Sequence, residues 1–312
     1  MKRVVLACAI ASLIVAGGQL TFGQGGGNPF IDHSDTGETI HVLPAPAAIH
    51  SPHATQPSDA PAHRGAAVFP ASYGSGNLVN HGGHQIPFAV FYPIYWNSTV
   101  ANSAGSQGQP NLRTQVQNFV SAFSNSQDYS IITQYSAADT ISGALAWVGD
   151  YVDSRAAQGS ISDSKVKSYI ASLFNSGVVT VDTSTVYGVY FPAGMKISSQ
   201  GGSSCSAFCG YHGHFAYNGK DIKYAVFPYT DCRACSVSGK AVADILTIVT
   251  SHEIREAVTD PDLNAWYDAA GYEADDKCAW HNLYQTSSGH FWVQPDYSNG
   301  LAGTPGPGCV VP

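Results

Sequence analysis

The hydrophobic positions divide the chain into an apolar start, a long segment without periodicity and a patterned remainder. Lys2-Arg3 precede an apolar run from Val4 to Ala16, and small residues follow near Gly23, which is the pattern of a secretory signal. We predict a signal peptide over residues 1–23 and a secreted, extracellular or periplasmic protein. No later run approaches the ~18 consecutive apolar residues of a membrane-spanning helix, so we expect no membrane association after cleavage.

Residues 24–85 show neither the period of a strand nor that of a helix. This segment is rich in Gly, Pro and His, a composition typical of chains that bury too little apolar surface to fold. We predict a disordered leader. Its histidines are irregularly spaced, which favours a solvated spacer over a weak metal-scavenging segment.

Regular patterning begins at Ile86, and we predict one domain over residues 86–312. Apolar residues recur at helical spacing after Pro110, over about 162–175 and over about 240–258. Strand-like apolar runs lie at 86–92, 129–135, 144–151, 178–181, 186–191 and 222–227. Strands and helices do not alternate regularly, and no glycine-rich phosphate loop follows a strand. This order predicts an α+β domain with a mixed sheet, not a doubly wound nucleotide-binding fold.

The third helix contains the pattern His252-Glu253-x-x-Glu256. Helical residues four apart share a face, so His252 and Glu256 can present a nitrogen and a carboxylate to one metal ion. Glu253 is offset by one residue and is the expected general base on a water. The pattern is similar to the H-E-x-x-H helix of zinc metallopeptidases, with Glu in place of the second His. It predicts a zincin-like domain whose sheet packs on this active-site helix.

Charge is sparse in this chain and unevenly distributed. Lys and Arg number 14 against 22 Asp and Glu, so the net charge is −8, and no basic cluster is available to bind nucleic acid. Only four residues are Glu, and three of them are Glu253, Glu256 and Glu273. This grouping favours a metal site over a structural role in which Glu256 pairs with Arg255.

A catalytic zinc usually takes three protein ligands and leaves one position for water. For the third ligand we favour Asp276 or Glu273 over Asp262, although Asp262 follows His252 at a spacing used by several H-E-x-x-H families. We expect zinc as the cofactor, while the carboxylates also admit calcium or another divalent metal. An acidic, merely solvated loop is the alternative for this stretch.

A second candidate lies in the run from Cys209 to His214. We expect its two histidine side chains to diverge, so that one alone reaches the metal. His212 is preferred because Gly213 flanks it and Cys209 tethers it. His212 would act as a metal ligand, as a hydrogen-bond donor to a tetrahedral intermediate, or as a structural residue, and His281 is a weaker candidate of the same kind.

Six of the seven cysteines remain after the predicted signal is removed. In an exported chain this number favours up to three disulfides, with the pairing left open. A four-thiolate zinc site formed by Cys205, Cys209, Cys232 and Cys235 is the less favoured alternative.

Several short motifs resemble the exordium, or phosphate-induced protein 1, family. They are the Cys-Gly-x-His-Gly tract at Cys209–Gly213, the apolar strand before Pro192, the run Tyr129–Tyr135 and the sequence Asp276–Trp280. The resemblance covers about residues 86–280. It implies an extracellular protein, since plant members are exported to the cell wall and linked to growth regulation without an established enzymatic activity. Plant members lack the His-Glu pair, so the resemblance favours a microbial relative with an intact zincin-like site.

The sequence is consistent with two functions. The first is a secreted metal-dependent hydrolase, a metalloprotease-like enzyme acting on a peptide or protein through a metal-activated water. The second is a non-catalytic extracellular or cell-wall-associated protein in which the same residues hold a structural metal. No G-x-S-x-G elbow supports a serine hydrolase.

Overall fold

A computed structural model describes residues 27–49, 57–61 and 65–312. The helices are α1 (Ser98–Ala101), α2 (Leu112–Phe123), α3 (Gln127–Ser130), α4 (Asp163–Asn175) and α5 (Val242–Thr259). The strands are β1 (Ile31–His33), β2 (Thr39–Pro44), β3 (Ala67–Phe69), β4 (Val79–Asn80), β5 (Ala89–Tyr95), β6 (Leu145–Trp147), β7 (Tyr151–Val152), β8 (Ser160–Ser162), β9 (Thr185–Tyr190), β10 (Lys196–Ser198), β11 (Phe208–Tyr217), β12 (Lys220–Phe227), β13 (Trp266–Tyr267), β14 (Tyr284–Gln285), β15 (Trp292–Val293), β16 (Asp296–Ser298) and β17 (Gly308–Val311). The predicted signal peptide lies outside the described residues.

Eight of these strands form one mixed sheet. Its order is β1-β2-β11-β12-β9-β5-β6, and β7 also pairs with β5. The pairings from β1 to β12 are antiparallel, whereas β12–β9, β9–β5 and β5–β6 are parallel. Parallel neighbours need a crossover connection, and helix α2 lies in the chain between β5 and β6. The architecture is therefore α+β with a mixed sheet.

Helices cover both faces of the sheet, and a glycine sets the spacing on the face that matters for the site. On one face, the hydroxyls of Tyr211 and Tyr224 donate to Asp163 at the start of α4, over 2.8 and 2.6 Å. On the other face, α5 lies so close to β11 that a Cβ on Gly210 would be 2.3 Å from Val249 Cγ1. Gly210 thus allows the strand that carries His212 to pack directly on α5.

The leader predicted to be disordered over residues 24–85 contains four ordered strands, and that prediction is wrong for the described residues. β1 and β2 extend the main sheet at β11, β3 pairs with β17, and β4 pairs with β13. The Trp280 indole N–H donates to Pro44 O over 2.9 Å, so side chains from distant segments also fix the leader. Its order comes from pairing with later strands, which a local period does not record.

Two other predicted strands are helical or turn segments. Residues 129–135 fall in α3 and the 3-10 turn Ile131–Tyr135. Their buried residues Tyr129, Ile132 and Tyr135 are three apart, which is the period of a 3-10 helix. Residues 178–181 follow α4, where Gly177 has a φ of +72° and Val178 N donates to Leu173 O over 3.1 Å. Gly177 N also donates to Phe174 O over 3.0 Å, and the two bonds form a Schellman motif that ends the helix.

Three disulfides connect the six cysteines of the described chain. They join Cys205 to Cys232, Cys209 to Cys235 and Cys278 to Cys309. The prediction of three disulfides is confirmed, and the four-thiolate zinc alternative is wrong because all four of its cysteines are oxidised. Among the described residues, no helix is both long and apolar enough to cross a membrane.

Candidate metal centre

Four elements bring histidines and carboxylates to one buried place. Helix α5 supplies His252, Glu253 and Glu256, and strand β11 supplies His212. The loop that leads into the 3-10 turn Asp276–Cys278 supplies Glu273 and Asp276, and β2 supplies His41. These seven residues are called the buried cluster below. None is more than 5% exposed.

Helix α5 is the rigid support of the buried cluster. Asp244 Oδ2 accepts the Ala241 N–H at the start of the helix over 3.0 Å. The helix ends at Thr259, where Asp260 accepts two backbone N–H bonds from the turn that follows. Every residue from Ala243 to Thr259 is buried. The charged side chains of α5 are therefore removed from water and need partners inside the protein.

The first group of ligand atoms consists of His252, Glu256 and Asp276. His252 Nε2 lies 3.0 Å from Glu256 Oε2 and 3.7 Å from Asp276 Oδ1. One ligand atom from each residue lies within 4.8 Å of the other two. The structure thus brings the i and i+4 residues of the helix together with the downstream carboxylate favoured from sequence.

Glu253 points to the same place from the next position on the helix. Its Oε2 lies 3.2 Å from His212 Nδ1, and its Oε1 has no hydrogen-bond partner although it is buried. His212 Nδ1 is also 3.7 Å from Glu256 Oε2. His212 therefore orients Glu253 while touching the first group.

The opposite side of the buried cluster is formed by His41 and Glu273. His41 Nδ1 lies 3.2 Å from Glu273 Oε1 and 3.8 Å from Asp276 Oδ2. His212 Nε2 is 3.6 Å from Glu273 Oε2. Asp276 consequently lies between His252 on one side and His41 on the other.

The loop that carries Glu273 and Asp276 is fixed by a buried ion pair and by hydrogen bonds. Arg255 donates to both carboxylate oxygens of Asp275, one of them over 3.0 Å. Asp276 N donates to Glu256 Oε1 over 2.9 Å, and Glu273 N donates to Asp276 Oδ2 over 2.9 Å. Arg255 therefore pairs with Asp275 and not with Glu256, so Glu256 remains free to act as a ligand.

Burial shifts the protonation of every group in the buried cluster. It lowers the pKa of His41 to about 3 and the pKa values of His212 and His252 well below their usual range, so the three imidazoles are neutral. Burial and mutual repulsion raise the pKa values of Glu253, Glu256, Glu273 and Asp276 well above normal. Neutral imidazole is the ligand form of His, and a bound cation would reverse the shift of the carboxylates.

The donor atoms fit a divalent metal in number, chemistry and spacing. His212 Nε2, His252 Nε2, Glu256 Oε2, Asp276 Oδ1 and both oxygens of Glu273 are buried without a hydrogen-bond partner. Several nitrogen–oxygen separations of 3.6–3.8 Å are too long for hydrogen bonds. They match the roughly 3–3.8 Å that separates two ligands of one ion at ordinary metal–ligand distances.

Other candidate residues from the sequence lie elsewhere. Asp262 pairs with Lys223, and His281 lies against Tyr73, with ring centroids 6.0 Å apart. His212 and His214 are two residues apart and share one face of β11, so the expectation that they diverge is wrong. His214 nevertheless stays outside the buried cluster, because it pairs with Asp221 over 2.9 Å.

Sequence reasoning missed His41, which was assigned to a solvated spacer. The local signal was the run Thr39-Ile40-His41-Val42-Leu43, which is rich in β-branched residues. Its short length hid it within a segment rich in Gly and Pro.

Comparison of the chain with protein-family models, with curated proteins and with solved structures finds no match in any of the three.

Proposed function

We propose that this protein is a metal-dependent hydrolase of the zincin-like type, exported from the cell and acting on a peptide or protein. The observation that carries the proposal is the convergence of His252, Glu256 and Asp276 beside Glu253, all without exposure to solvent. The short motifs that resemble the exordium family agree with an extracellular location, and so do the three disulfides.

Each residue has a role that follows from its position. A divalent metal held by His252, Glu256 and Asp276 would lower the pKa of a bound water and polarise a substrate carbonyl. Glu253 Oε1 is the free carboxylate oxygen that takes a proton from the attacking water. His212 Nδ1 lies 3.2 Å from Glu253 Oε2, and with a proton on Nδ1 it would donate to this carboxylate and keep it aimed at the cluster. Zinc suits this mixed set of nitrogen and oxygen ligands.

Complete burial favours a second candidate function. His212, His252 and the four carboxylates are at most 1% exposed, so a peptide reaches them only if a covering segment moves. A metal held in such a place also contributes folding free energy without catalysis. The second candidate is therefore an extracellular protein that the same metal stabilises.

One comparison separates the two functions. Metal content and turnover on a peptide panel are measured for the natural protein, Glu253→Gln and the matched control Glu38→Gln, which changes the Glu that lies outside the buried cluster. The hydrolase proposal expects bound metal in all three and a fall in kcat of about 10²–10⁴ for Glu253→Gln alone. Bound metal without turnover in any of them would leave the stabilising role, which a fall in Tm on chelation tests. Absence of bound metal would refute both.

A further inference from the structure

The His41 side of the buried cluster offers further ligand atoms next to the first group, and Glu256 lies within reach of both sides. His41 Nδ1, His212 Nε2 and both oxygens of Glu273 are buried and have no hydrogen-bond partner. His41 Nδ1 lies 3.2 Å from Glu273 Oε1, and His212 Nε2 lies 3.6 Å from Glu273 Oε2. None of these atoms belongs to the group formed by His252, Glu256 and Asp276. An ion bound by His252, Glu256 and Asp276 alone leaves them without a partner.

The charge of the buried cluster also favours a second cation. Glu253, Glu256, Glu273 and Asp276 are four buried carboxylates. The cations nearest to them along the chain are engaged elsewhere, since Arg255 pairs with Asp275 and Lys277 pairs with Asp268. One divalent ion balances two of the four negative charges that these groups carry when ionised, so the other two carboxylates need either a proton or a second cation.

We propose that the buried cluster binds two divalent metal ions, the second held by His41, His212 and Glu273, with Asp276 shared between the two. Asp276 has the required position, because its Oδ1 faces His252 Nε2 over 3.7 Å and its Oδ2 faces His41 Nδ1 over 3.8 Å. His212 uses Nε2 as the ligand atom and donates its Nδ1–H to Glu253, the usual arrangement of a ligating histidine and its carboxylate. The proposal rests on the metal centre proposed above and adds a second ion to it.

Metal stoichiometry tests the proposal without reference to activity. The natural protein is stripped with a chelator, reloaded with Zn²⁺ or Mn²⁺ alone, freed of excess metal and analysed by elemental analysis and calorimetric titration. We expect two ions per chain. One ion per chain would overturn the second site and leave the single-metal hydrolase intact, whereas no bound ion would overturn both.

A histidine variant assigns the second site. His41→Ala is compared with His33→Ala, which removes an exposed histidine from the neighbouring strand of the same β1–β2 hairpin. We expect one ion per chain in His41→Ala and two in His33→Ala. Two ions in His41→Ala would overturn the assignment.

If His41→Ala folds poorly, electron paramagnetic resonance of the Mn²⁺-loaded natural protein tests the second site independently. Two Mn²⁺ ions that share a carboxylate are magnetically coupled, so the natural protein should lack the six-line spectrum of an isolated ion. An isolated-ion spectrum for the fully loaded natural protein would contradict a shared Asp276.

Discussion

Glu256 is oriented before any metal arrives. Its Oε1 accepts the Asp276 N–H over 2.9 Å, which leaves Oε2 directed at His252 Nε2, 3.0 Å away. A ligand that is already held in place loses little conformational freedom when an ion binds. Helix α5 therefore supplies two ligands, and one of them, Glu256, is already fixed by the backbone N–H of Asp276.

Glu38 offers a pH prediction at a single residue. The hydroxyls of Ser34 and Thr36 donate to Glu38 Oε2, and these bonds lower the pKa of Glu38 to about 2. The ionised carboxylate therefore stabilises the folded β1–β2 turn above the ordinary Glu pKa of about 4.3, and this contribution is lost as the pH falls toward 2. We expect amide exchange of residues 34–38 to accelerate over this range after correction for the intrinsic pH dependence. Glu38→Gln should abolish the effect, and titration of Glu38 near its ordinary pKa by NMR would contradict it.

At the level of elements, the contact between α5 and the loop at 273–278 depends on Arg255. Both Arg255 and Asp275 are at most 1% exposed, and removal of one partner leaves the other charge buried. We expect Arg255→Met to lower the free energy of unfolding by about 3–5 kcal/mol. The matched control is Arg113→Met, because the Arg113 side chain is half exposed in its pair with Asp150 and we expect a smaller loss there.

Urea unfolding of both variants gives the measurement. Equal losses of stability in Arg255→Met and Arg113→Met would show that the buried pair does not hold α5 to the loop.

The disulfide between Cys278 and Cys309 has a second effect besides stability. It joins residues 31 apart and anchors the segment next to Asp276. The Cys205–Cys232 disulfide joins residues 27 apart and does not border a residue of the buried cluster. Replacement of either pair by serine should cost a similar ~3–4 kcal/mol, because the loops are similar in length. We expect Zn²⁺ affinity, measured by calorimetry, to fall at least tenfold only in the Cys278/Cys309 variant.

A similar fall of affinity in the Cys205/Cys232 variant would indicate a general effect of lost stability. Measurement at a temperature where both variants remain folded, checked by circular dichroism, separates the two explanations.

The long helices were predictable because their signals are local. Helix α4 was expected over 162–175 and is observed at Asp163–Asn175. Its apolar face recurs at helical spacing, and Gly177 supplies the left-handed residue that ends it. Strand β2 was not predictable in this way, since its neighbour β11 lies more than 160 residues later in the chain. Short strands obtain their stability from such distant pairing.

For the whole molecule, the residues of the buried cluster also divide into those that a local sequence pattern predicts and those that only distant pairing brings in. His252, Glu253 and Glu256 share one helix, so their spacing alone predicts that they converge. Glu273 and Asp276 follow closely enough to be expected, and the rarity of Glu made Glu273 conspicuous. His41 reaches the cluster only through the order of strands in the sheet, which no local pattern encodes.

The separation of the ligand residues along the chain also determines where metal can be acquired. All residues of the buried cluster lie between His41 and Cys309 in the sequence, and the disulfide of Cys309 with Cys278 fastens the Asp276 segment. The proposed centre is therefore complete only after the chain from His41 to Cys309 has been made and Cys278 and Cys309 have been oxidised. If the protein is exported unfolded, it cannot carry a metal out of the cytosol in this site. The ions present where the disulfides form, and not those that a cytosolic pool would favour, then decide which metal the protein holds.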